Sequence, residues 1–122
     1  MSSSLNKQLN DIAQSIFDKK GFNIIVLDVR GVSTMTDYFV IAEGTVDRHV
    51  KALSKTVIDS LAAQGIQPLF VEGEKVADWI VVDYGDVIVH LFIPELREKY
   101  ALEELWHEGK IVDVDIVIPE SK

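Results

Sequence analysis

The sequence predicts an α/β fold: one domain over residues 1–122, with a mixed sheet of about five strands packed by helices. Three observations predict it. The chain has 122 residues, 48% of them apolar and 26% charged, a globular balance at a length that buries roughly two-thirds of the unfolded chain's surface. Short β-branched runs alternate with stretches of helical periodicity, in the order α-β-β-α-β-β-β-α with one further strand or tail. No repeat, low-complexity tract or Pro/Gly/Ser-rich linker interrupts that order.

In chain order, Leu5, Leu9, Ile12, Ala13, Ile16 and Phe17 recur at helical spacing and predict a helix over about residues 5–20, with Ser4 as N-cap and Gly21 just past its end. Asn23–Val29 is a β-branched strand run, GVSTMT a loop, and Asp37–Ala42 a second strand. The short connection makes these two strands an antiparallel pair. Thr45 is the expected cap of a second helix, with Asp47 in its first turn. Val46, Val50, Leu53, Val57 and Leu61 form one face of that helix, and Gly65 marks its stop. Gln67–Val71 reads as a short third strand. Trp79–Tyr84 and Val87–Ile93 are strong strand runs, and Gly85-Asp86 between them is a tight hairpin signal. Pro94 opens a third helix with Leu96, Tyr100 and Leu105 on its inner side. Lys110–Ile118 alternates enough for an edge strand or a tail.

The net charge of −8 is unevenly spread. Residues 1–60 carry seven Lys/Arg and seven Asp/Glu, whereas residues 61–122 carry five and thirteen. An acidic half repels bare phosphate backbones and attracts a basic protein surface. There is no cysteine, which removes disulfides, thiolate metal sites and cysteine nucleophiles together. The longest uncharged run, Ser60–Val71, is broken by Gly65 and Pro68 and is too short to span a bilayer. The N-terminus lacks a secretory pattern, so a cytoplasmic protein without membrane contact is expected.

Catalytic signatures are missing: no P-loop, no GxGxxG, no GxSxG and no HExxH occurs. His49 and His90 with Asp83 and Asp86 contain the donor types of a metal site, but their spacing does not demand one. Asp113 and Asp115 form a DxD pair that either binds a divalent ion or keeps an acidic edge strand from pairing. Arg48, Lys51 and Lys55 form a small basic stripe on the second helix that could touch a nucleic-acid phosphate; without interleaved aromatics and with acid elsewhere, it reads rather as a solvated helix face. Around the hairpin, alternation places Trp79, Val81 and Asp83 on one face and Ile80, Val82 and Tyr84 on the other. A tryptophan beside an aspartate suits a protein contact, an aromatic anchor with an acidic rim. Burial of Trp79 under the third helix is the alternative.

At these residues the sequence resembles the ribosomal silencing factors, or Iojap family. The stretches that carry the resemblance are DVRGVSTMTDYFVIAEGTVDRHVKAL at 28–53, VEGEKVADWIVVDYGDVIVH at 71–90 and REKYALEELW at 97–106. Their order and spacing make the combination specific. The resemblance implies a nucleotidyltransferase-like topology without catalysis or cofactor. It implies binding to the large ribosomal subunit, on the basic ribosomal protein at the subunit interface, the fourteenth of the bacterial large-subunit series. Bound there, such a protein blocks small-subunit docking; a role in large-subunit maturation is also attached to the family. Mapped onto this sequence, the expected contact residues are Trp79, Asp83 and Asp86 with Glu72 and Glu74 as an acidic rim, then Tyr84 and His90. Tyr100 and Trp106 match as well, and their helical spacing suits a core role. Asp37 and the group Thr45, Arg48 and His49 match as structural residues, Asp37 as a turn or capping carboxylate and Thr45 as a helix cap. Trp79→Glu is expected to abolish large-subunit binding and leave the fold intact. Exposed strand edges allow a homodimer, and direct contact with ribosomal RNA is left open. The rivals are a metal-dependent nucleotidyltransferase using Asp113 and Asp115 with Asp83 or Asp86, and an adaptor for some other basic protein.

Overall fold

A computed structural model describes residues 2–100, 110–112, 114 and 116, with side chains from Leu5 to Lys99 in the first span. Among these described residues three helices and six strands follow in the order α1 (Ser2–Asp18), β1 (Phe22–Asp28), β2 (Tyr38–Glu43), α2 (Asp47–Ala62), β3 (Phe70–Glu72), β4 (Trp79–Asp83), β5 (Val87–Phe92), α3 (Pro94–Tyr100) and β6 (Lys110–Ile111). The strands form one mixed sheet in the order β3-β4-β5-β2-β1-β6. Only β2 and β5 are parallel; the other neighbours are antiparallel. The sheet thus has six strands where about five are predicted. The sixth is the edge strand at Lys110–Ile111, and Val112 and Val114 beyond it pack on the core.

Strand alternation divides the core in two. Ile80, Val82, Val87, Val89 and Leu91 join Leu9, Ile12 and Ile16 of α1 and Val50, Leu53, Val57 and Leu61 of α2 on the first face. Leu27, Val29, Phe39, Ile41, Ile88 and Phe92 form a second cluster on the opposite face, with Leu96 of α3 packed against it. Every residue of the central strand β2 is consequently buried. This is why its sequence reads as a continuous apolar run instead of alternating.

The helix ends show where single residues decide geometry. At the end of α1 the left-handed position falls on Lys20, at φ 75°, not on Gly21. Gly21 is needed for space, because a Cβ there would lie 2.4 Å from Ile16 Cγ2. Helix α1 begins at Ser2, two residues before the expected cap Ser4. Val46, not Thr45, is the N-cap of α2, and its side chain makes no capping bond. Instead His49 reaches back: Nδ1 accepts from the Thr45 N–H at 2.9 Å, so Nε2 carries the proton and donates to the Lys19 carbonyl at 2.8 Å. That bond joins the start of α2 to the end of α1. Gly65 is the stop expected of it, at φ 80°, with Gly65 N–H donating to Ala62 O and Ile66 N–H to Leu61 O.

Candidate functional site

The register across the sheet assembles the second face row by row. One row runs Glu72, Val81, His90, Ile41 and Ile25 from β3 to β1. The next runs Phe70, Asp83, Ile88, Phe39 and Leu27. A third places Trp79 opposite Phe92, with Phe92 opposite Glu43. Period-two alternation therefore puts Trp79, Asp83, Glu72 and His90 on one side, together with Phe70.

Towards β3 this face opens into a groove of about 210 Å³. Val81, Ile88 and His90 belong to its lining, with Glu72, Asp83, Phe70 and Met35 around them. Phe70 is 62% exposed and Met35, from the β1–β2 connection, 64%. Two large apolar side chains are thus held in water beside two carboxylates. Neither Met35 nor Phe70 is singled out by the sequence. The available signal for Phe70 is its adjacency to Val71, which packs on the first face and so turns Phe70 to the second.

Trp79 is partly buried beside this groove. Its ring packs on Phe92 with centroids 5.0 Å apart, and its Nε1–H donates to His90 Nδ1 at 3.1 Å. Trp79 packs against the second cluster and stays partly exposed. Trp79→Glu would consequently cut into the packing as well as the surface, and Phe70→Glu is the cleaner probe. His90 also lies against Phe39, 5.3 Å between ring centroids, and stacks on Phe92 at 6.1 Å. Burial lowers its pKa to about 4, against a smaller upward pull from Asp83. The imidazole is therefore neutral near pH 7, which suits its acceptor role towards Trp79.

Asp83 also shapes the hairpin, since its Oδ1 accepts from Gly85 N–H at 2.8 Å. Gly85 takes φ 88° there. Asp86 is exposed at the hairpin tip, where its carbonyl accepts from the backbone of Asp37 and Tyr38. Asp37 contributes main-chain bonds, to Asp86 and from Val29; its carboxylate makes none among the described residues.

Besides Trp79 beside it and Asp86 at the hairpin tip, two further expected contact residues, Tyr84 and Glu74, lie outside the lining of this groove. Tyr84 packs against the first core cluster, and burial raises its pKa to about 12. Its hydroxyl is buried without a hydrogen-bond partner among the described residues. Glu74 turns away at the end of β3 and lines a different groove, beside α2. The local cause is Gly73, at φ 90°, where a Cβ would meet Trp79 O at 2.1 Å. Tyr100's side chain, Leu105, Trp106, Asp113 and Asp115 lie outside the described residues.

His49 is committed to the α1–α2 junction, and His90 lies on the other face of the sheet, so the two histidines do not converge. Among the described residues no group of three or more His, Cys, Asp or Glu is arranged to hold a metal. No helix among them is long and apolar enough to cross a membrane. At the far end of the second face, Arg97 of α3 lies 3.3 Å from Glu43, with side chains 6% and 9% exposed. Asn23 Nδ2 donates to Glu43 at 3.1 Å, and Arg97 donates to the Asn23 carbonyl. This buried cluster clamps α3 to β1 and β2.

The model of the family described as "Ribosomal silencing factor during starvation" matches residues 2–122. The chain belongs to the ribosomal silencing factor family. It is 40% identical over 98 residues to the ribosomal silencing factor RsfS of Bacillus subtilis, covering 80% of this chain and 83% of that one. It is 38% identical over 87 residues to the mouse protein named mitochondrial assembly of ribosomal large subunit protein 1, covering 69% of this chain and 38% of that one. The fold is similar to a crystal structure of a Chromobacterium violaceum protein, with a TM-score of 0.80 and 31% identity over 91% of this chain and 92% of that one. A Bacillus halodurans structure superposes at 0.78 with 31% identity, over 88% and 98% of the two chains.

Proposed function

We propose that this silencing factor docks on the large ribosomal subunit through the groove on the second sheet face, and that its bulk then blocks the small subunit from joining. The observation that carries the proposal is the exposed Phe70 and Met35 flanked by Glu72 and Asp83. The apolar pair supplies area that gains by leaving water, and the carboxylates select a basic partner. A basic ribosomal protein at the subunit interface has that chemistry. Trp79 forms the upper edge of the same surface and Asp86 its outer tip. His90 supports the surface by holding the Trp79 indole. Occupancy is sufficient for such a mechanism and no bond is made or broken, so the protein works as a regulator and not as an enzyme. Family membership supports the ribosome as target, and the name of the mouse relative points to the large subunit.

Light scattering of purified subunits mixed with the protein tests the proposal. The wild-type protein is expected to reduce the extent of joining in proportion to the fraction of large subunit bound. Phe70→Glu combined with Glu72→Lys is expected to remove the effect while leaving the far-ultraviolet circular dichroism unchanged. Undiminished joining at saturating wild-type protein would contradict the proposal, as would full activity of the folded double variant.

A further inference from the structure

Strand β3 ends the sheet on the side of the proposed docking groove. Its one strand neighbour is β4, paired antiparallel in unbroken register: Phe70 with Asp83, Val71 with Val82 and Glu72 with Val81. Leu69 N–H donates to the Asp83 carbonyl at 2.7 Å, towards β4. Main-chain groups alternate sides along a strand, so the N–H and C=O of Phe70 and Glu72 point outward, away from β4. No hydrogen bond from a described residue outside β4 reaches them.

Sheets ordinarily blunt an open edge with lysine, proline, a bulge or a covering element. Residues 69–72, Leu-Phe-Val-Glu, contain neither lysine nor proline, and their pairing carries no bulge. The strand at the opposite edge, β6, begins with Lys110. Leu69 and Phe70 are 64% and 62% exposed, so the β3 edge is apolar as well as unpaired. It also borders the groove, because Phe70 and Glu72 belong to the lining. A strand laid against β3 would place alternate side chains directly beside those two. The edge is short, and its two outward N–H groups are too few to hold a strand without the side-chain contacts of the groove.

We infer that the docking partner adds an extended segment to β3 as a further strand of the sheet. The inference rests on the docking proposed above and gives that contact a sequence requirement. The segment carries an apolar residue beside Phe70 and, two positions away, a Lys or Arg beside Glu72. Main-chain bonds to Phe70 and Glu72 fix its register. The pairing thereby separates this segment from basic surfaces that have no extended strand to offer.

Amide exchange and substitution, both on isolated large subunits, test the inference. Nitrogen-15-labelled protein is exchanged into deuterated buffer, free and bound to the subunit, then quenched and read residue by residue. The Phe70 and Glu72 amides are expected to exchange at least about tenfold more slowly in the complex. Glu72→Pro removes one outward N–H at an edge position that tolerates proline, whereas Glu72→Thr removes the same carboxylate and keeps the N–H. The proline variant is expected to bind about tenfold more weakly than the threonine variant, since a partner carbonyl is left without its donor. Exchange is read on the wild-type chain and decides the matter if the proline variant does not fold. Unslowed exchange of both amides in the complex would overturn the inference, and so would equal affinity of the two folded variants. Protection already present in the free protein and growing with its concentration would also overturn it, assigning the edge to a second copy of the chain. Those outcomes leave the docking proposal standing if Phe70→Glu still weakens binding. A wild-type protein that binds no large subunit overturns both.

Discussion

Replacing His90 with asparagine tests how the second sheet face is held together. In the folded protein the partly buried imidazole packs among Phe39, Trp79 and Phe92 and accepts from the indole N–H. Its pKa is lowered from 6.5 to about 4. The unfolded chain therefore binds this proton more readily than the folded one. The resulting stability is fully present above pH 6.5 and is lost as pH falls towards 4, with no further loss below that. At about 1.4 kcal/mol per pKa unit, the full range amounts to about 3 kcal/mol, of which about 2 kcal/mol is lost between pH 7 and pH 5. Asparagine places an acceptor where Nδ1 stood and does not titrate in this range. Urea denaturation at pH 7 and pH 5 should show wild type losing about 2 kcal/mol more than His90→Asn over that interval. The comparison cancels the surface carboxylates, which titrate in both proteins. Equal losses in the two proteins would refute the claim that His90 is held neutral beneath Trp79.

Three further substitutions probe other parts of the molecule. Arg97→Ala leaves the Glu43 carboxylate buried without its cation and should cost about 3–5 kcal/mol in chemical denaturation; a loss under 1 kcal/mol would mean that the clamp between α3 and β2 is solvated. Gly73→Ala forces a Cβ to within 2.1 Å of the Trp79 carbonyl at φ 90° and should cost at least about 2 kcal/mol, read as a shift of the urea midpoint; an unshifted midpoint would show that the turn after β3 can relax. Phe70→Glu, at a side chain 62% exposed, should leave stability within about 0.5 kcal/mol while weakening large-subunit binding by about 2 kcal/mol, roughly thirtyfold in Kd; unchanged Kd would remove Phe70 from the contact.

The elements were legible where periodicity and length agree. The β4–β5 hairpin follows from two β-branched runs around Gly85-Asp86, and α2 from one apolar stripe ending at Gly65. Alternation also placed Trp79, Val81 and Asp83 together on the second face, as the register places them. Boundaries were less legible, because caps depend on tertiary partners. Thr45 has the composition of a cap, yet Val46 takes the position, since His49 satisfies the Thr45 N–H while donating across to Lys19. The candidate site was half legible for a related reason. Glu72 and Glu74 share a parity in the sequence, but Gly73 turns the chain between them and sends Glu74 to the α2 side. Met35 and Phe70 come from segments that carry no strong pattern and meet only because β2 pairs with β5, β5 with β4 and β4 with β3. The basic stripe on α2 was visible as spacing, whereas its separation from the acidic groove required the sheet between them.

Co-sedimentation of the purified protein with separated large and small subunits tests the central claim most directly. The account predicts binding to the large subunit alone, weakening as salt is raised from 50 to 200 mM because the carboxylates of the groove contribute to the contact. It predicts that Phe70→Glu with Glu72→Lys stays in the supernatant. A folded wild-type protein that pellets with neither subunit, or equally with both, would contradict it.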